Sequence, residues 1–83
     1  MLDKAKVILV SAGLLEINKV YKRPRFIFTR KKAQFGHLIE GSTFVGNFRQ
    51  DDLSLVEIIK AYLKQGYYVL AIAEEEDVNV YRA

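Results

Sequence analysis

The chain has 83 residues, 51% of them hydrophobic and 28% charged, with a formal net charge of +3 and no cysteine. That is enough for one folded α+β-sized domain over 1–83 and too little for two, and the apolar share is that of a packed protein, not a disordered one. The missing cysteine excludes a disulfide framework, thiolate metal sites, iron–sulfur ligation and a cysteine nucleophile, leaving packing or self-association to hold the domain.

The first apolar run is Val7-Ile8-Leu9-Val10, preceded by Lys4 and Lys6. It is too short for a signal segment, Glu16 soon interrupts it, and no clean small-residue cleavage site follows. Nor does any stretch approach the roughly 18 successive apolar residues of a membrane span. The expectation is a soluble, cytoplasmic protein with no membrane partner.

Val7–Val10 reads as a strand. After a bend at Ala12-Gly13, Leu15, Ile17, Lys19 and Tyr21 alternate with Glu16, Asn18 and Lys22, as a second strand would. A helix over 2–20 competes, because Leu2, Ala5, Leu9, Ala12 and Ile17 partly share a face. Lys22-Arg23-Pro24 makes a turn, since proline fixes φ and cannot donate to a ladder. Phe26–Thr29 follows as a strand. His37–Glu40 and Thr43–Phe48 fit short strands, with Gly46 as a bulge or a point of close approach.

The clearest element is a helix over about 52–65. Leu55, Ile58, Ile59, Tyr62 and Leu63 follow the i, i+3, i+4, i+7, i+8 template, with Glu57, Lys60 and Lys64 opposite. Asp51 or Asp52, or Ser54 with Glu57, supplies the N-terminal cap, and Gly66 the stop. Tyr67–Ala73 is a continuous apolar run, as in a buried strand. Glu74–Asp77 then forms a turn, and Val78–Tyr81 a last strand, expected at a sheet edge.

These elements predict an α+β fold, a small twisted antiparallel sheet with one amphipathic helix packed on it. A partly open barrel of the oligonucleotide-binding type is the alternative, with 5–22 as one long bent strand.

Charge is unevenly spread. Lys19, Lys22, Arg23, Arg25, Arg30, Lys31 and Lys32 lie together, and no Asp or Glu occurs between Glu16 and Glu40. A basic β-hairpin over 19–32 presenting these groups to phosphates would bind nucleic acid through counterion release. Tyr21, Phe26 and Phe28 would stack on bases only where exposed, because aromatic residues two apart on a strand are usually core. Pro24 stands where the aromatic-basic strand of RNA-recognition domains has glycine, and Ile27 replaces a small residue, so that family is not assigned.

The alternative is a non-catalytic protein-interaction module, subunit or small inhibitor. It would dock through Glu74, Glu75, Glu76 and Asp77, or form a homodimer through an edge strand at 78–82. The acidic run has a third reading, in which it folds back on the chain's own basic hairpin. No catalytic residue, metal site or cofactor is expected. His37 is the only histidine, no Gly-rich phosphate loop occurs, and Asp51-Asp52 reads as a helix cap.

Overall fold

The computed structural model describes residues 25–50 and 52–83. β1 (Phe26–Thr29) leads through a 3-10 turn (Lys32–Phe35) into a short helix, α1 (Gly36–Glu40). Then come β2 (Thr43–Arg49), the long helix α2 (Leu53–Lys64), β3 (Val69–Glu74) and β4 (Asp77–Arg82). None of the described helices is long and apolar enough to cross a membrane. The strands expected at 7–10 and 15–21 and the turn at 22–24 lie outside the described residues.

α2 forms where its periodicity places it. Its N-cap is Asp52, whose carboxylate accepts from the Ser54 backbone N–H at 2.9 Å and from Ser54 Oγ at 2.7 Å. Ser54 thus serves the cap as a donor instead of capping the helix itself. At the other end Gly66 takes φ 94°, the left-handed conformation that a helix stop favours in glycine. Leu55, Val56 and Ile59 are buried, while Tyr62 and Leu63 pack at the margin of the core.

The strand order is β1-β3-β4-β2, an open mixed sheet among the described residues. β4 runs antiparallel to both β2 and β3. β2 and β3 are therefore parallel to each other, and α2 is the crossover that connects them across one face. β1 pairs with β3 in parallel, Phe26 beside Val69 and Thr29 beside Ile72. The pairing is thus not antiparallel throughout: the elements between β1 and β3 supply the long connection that parallel neighbours need. The long strand that a barrel would require at 5–22 lies outside the described residues.

Phe26, Val69, Ala71, Ala73, Val78 and Val80 meet Leu55, Val56 and Ile59 in the core between sheet and α2. β3 is buried on both faces from Val69 to Ala73, which explains its unbroken apolar sequence. β4 is internal, not an edge. Its burial alternates because Val78 and Val80 enter the core while Asn79 and Tyr81 turn to the second face. On β2 the register shifts between Phe44 and Gly46. A Cβ on Gly46 would lie 3.3 Å from the Phe48 ring, so both expected glycine roles, bulge and close approach, meet there.

Residues 37–40 form a helical turn where a strand is expected. Phe35 and Ile39, four apart and both half-buried, share a helical face. The adjacent Leu38 and Ile39, by contrast, would point to opposite sides of a strand. Ser42 closes the segment, its backbone N–H and its hydroxyl both donating to the Ile39 carbonyl, at 3.1 and 2.7 Å.

Candidate nucleic-acid interface

The basic hairpin is only partly within view, because Lys19, Tyr21, Lys22 and Arg23 lie outside the described residues. Arg25, Arg30, Lys31 and Lys32 are described, and β1 separates the first from the other three. Strand rise sets roughly 16 Å between the Arg25 and Arg30 backbones.

Strand alternation sorts the side chains of β1. Phe26 faces α2 and is 1% exposed, so it is core and cannot stack on a base. Phe28 is half-buried on the same side and packs against that core. Arg25, Ile27 and Thr29 point to the opposite face.

At the far end of β1, Arg30, Lys31 and Lys32 are all exposed. The backbone there is set by Lys31 N–H donating to Thr29 Oγ1 at 3.0 Å and Gln34 N–H donating to the Lys31 carbonyl at 3.1 Å. The acidic turn lies beside this cluster: Lys32 Nζ is 3.9 Å from Glu74 Oε1. Across the turn, Arg49 Nη2 is 3.9 Å from Glu76 Oε2. Gln50 ties the turn down, its side-chain amide donating to the Glu75 carbonyl and its backbone N–H to that of Glu76. The acids therefore sit between basic residues of the same chain.

At the near end of β1, the Arg25 guanidinium lies 5.1 Å from the centre of the Tyr68 ring. Arg25 Nη2 also donates to the Tyr67 carbonyl at 3.4 Å. Tyr68 is 47% exposed, a large ring in solvent beside a cation. A second stack lies on the α2 side, with the Arg82 guanidinium 4.5 Å from the Tyr67 ring and 5.4 Å from Tyr62. The sequence points to aromatic residues on β1 itself, whereas the exposed ring is on the neighbouring strand's approach.

On the face away from α2, pairing aligns Ile27, Leu70, Tyr81 and Phe44 in one row across all four strands. Tyr81 and Phe44 meet edge to face with centroids 5.4 Å apart, and Phe44 is 55% exposed. A cleft of about 380 Å³ opens over Ile27, Leu70 and Tyr81 of this row, lined also by Tyr68, Leu38 and Ser42, with Arg25 at its margin. A cleft of this size can hold a small planar or apolar group, and the Arg25 guanidinium beside it suits an attached anion.

No family model matches the chain, and comparison with curated proteins and with solved structures returns no match to either.

Proposed function

We propose that this domain is a small nucleic-acid-binding module with no chemistry of its own. The carrying observation is the layout of β1: exposed Arg30, Lys31 and Lys32 at one end, and the Arg25–Tyr68 stack at the other. The cations neutralise phosphates and release counterions, which drives binding with little sequence demand. The Tyr68 ring offers a base a stacking surface, and stacking tolerates any base. Phosphate contacts thus supply most of the affinity, and the ring supplies a preference for unpaired strands.

The test is fluorescence anisotropy with labelled single- and double-stranded DNA and RNA at several salt concentrations. A log–log slope implying about four or more phosphate contacts is expected. Lys31→Glu with Lys32→Glu should weaken binding strongly and flatten that slope while the circular dichroism spectrum stays native. A folded double variant that binds as tightly as the parent would remove the basic surface from consideration.

A further inference from the structure

We infer that the cleft beside Tyr68 receives a single unpaired nucleobase, its phosphate lying toward Arg25. The inference rests on the nucleic-acid function above and assigns that function a base subsite. Four features converge on this occupant. First, the volume, about 380 Å³, is at the small end of ligand pockets, suited to one ring system and not to a folded partner. Second, the lining is planar and apolar: Tyr68 and Tyr81 contribute rings, Ile27 and Leu70 the sheet surface between them.

Third, charge falls at one end of the cleft. Arg25 is held over Tyr68 by its ring contact and by the Tyr67 carbonyl, which fixes where its positive charge sits. A base stacked on Tyr68 would carry its phosphate into that field. Fourth, the cleft and the Arg30–Lys32 cluster occupy opposite ends of one short strand, so a chain leaving the cleft along β1 reaches the next cations. A duplex keeps its bases stacked and paired and cannot offer one to the cleft without paying for base flipping. The subsite therefore selects single strands.

Two cleft variants test this, measured beside the wild type with a 12-nucleotide single strand, the matching duplex and adenosine monophosphate. Tyr68→Ala removes the stacking ring, and Leu38→Trp fills the cleft from α1, where Leu38 is already 40% exposed. The expected result is a single-strand affinity roughly 10- to 100-fold weaker in Tyr68→Ala, with duplex affinity within about twofold of wild type. Tyr68→Phe should restore single-strand binding. If wild type binds no nucleic acid at all, the function falls and the subsite with it. If wild type binds and both folded variants match it on single strands, the subsite alone is overturned. Equal losses on single strand and duplex would also overturn it, since the ring would then support the basic surface instead of a base. Adenosine monophosphate binding as tightly as the oligonucleotide would make a free nucleotide the ligand and overturn the strand assignment.

Discussion

Arg25 and Tyr68 are locked together by one short stretch of backbone: the guanidinium covers the Tyr68 ring at 5.1 Å while its Nη2 reaches the carbonyl of the preceding Tyr67 at 3.4 Å. The strand pairing makes this possible, because Val69 N–H donates to the Arg25 carbonyl at 2.8 Å and so brings the two approaches level. A planar fork lies flat over the ring while its edge donates to the carbonyl, a geometry that a compact ammonium does not reproduce.

Arg25→Lys separates charge from geometry. The positive charge stays, so the salt dependence of nucleic-acid binding should hardly change. The flat guanidinium stack gives way to a weaker ammonium contact, so the thermal midpoint should fall by at most roughly 2–6 °C, the effect of losing an exposed cation–π contact outright in a domain of this size. Thermal denaturation and a salt titration on the same variant check both parts. An unchanged midpoint would mean that the Arg25–Tyr68 contact does not support the fold, and a changed slope that the guanidinium's geometry, beyond its charge, sets the phosphate contacts.

Ile59 is fully buried and stands at the centre of the contact between α2 and the sheet. Ile59→Ala removes three methyl-sized groups and leaves a cavity that the surrounding strands fill only in part. The expected loss is about 2–5 kcal/mol, a large share of the stability available to a small domain. Urea denaturation followed by circular dichroism measures it. A loss under about 1 kcal/mol would mean that α2 is not seated on the sheet as described.

How much of this was legible follows from how far apart the determining contacts lie. α2 could be read from Leu55, Ile59 and Tyr62 because its pattern is local, and its cap from Asp52 because the partner, Ser54, is two residues away. β3 could be read from its unbroken apolar run. The position of β4 could not, because Val78 and Val80 would alternate with polar residues equally well at an edge or beside a single covered face. Only the pairing with both β2 and β3 decides it, and that pairing is long-range. Residues 37–40 misled because a five-residue helix offers too few positions to show a helical period. At the interface, the basic residues were visible as a run. The ring that accompanies them was hidden inside Tyr67–Ala73, where Tyr68 looks like part of a buried strand: its backbone does pair with Ala83, but its ring lies at the open end of the sheet.

The Asp52 cap predicts a pH dependence. The Ser54 hydroxyl, and after it the Ser54 backbone N–H, hold the Asp52 carboxyl below its ordinary value of 3.8. A carboxyl with a lowered folded pKa stabilises the fold above the unfolded value, and that stabilisation disappears as pH falls through the folded one. Asp52→Ala should therefore lower the thermal midpoint by a few degrees at pH 7. The gap between wild type and variant should narrow once the pH drops below the ordinary carboxylate range. A gap that stays constant down to strongly acidic pH would show that Asp52 contributes through something other than its charge.

The turn between β3 and β4 holds a backbone cost. Glu75 has φ 46°, a left-handed conformation in which its Cβ crowds the following carbonyl. Asparagine adopts a positive φ far more readily than glutamate. Glu75→Asn also removes one of four adjacent negative charges. It should raise the thermal midpoint by roughly 2–6 °C. A differential scan of the two proteins decides it, and a lower midpoint would mean that the Glu75 side chain makes a contact outweighing the strain.

Glu74 bears directly on binding. Its carboxylate lies 3.9 Å from Lys32 Nζ, and the two side chains are 49% and 55% exposed, so the pair contributes little to the fold. It matters more to an arriving phosphate, which must compete with Glu74 for Lys32 and approach against its charge. Glu74→Gln should leave the thermal midpoint nearly unchanged and tighten nucleic-acid binding about two- to fivefold at low salt. The gain should shrink as salt rises, because a Debye length of about 10 Å at 0.1 M screens an exposed pair. Repeating the change in a Lys32→Gln background isolates the pair: if Glu74 acts through Lys32, most of the gain vanishes there. A gain that persists in full would assign the effect to the general negative field of residues 74–77. No gain in either background would mean that the phosphates pass on the other side of β1, away from the turn.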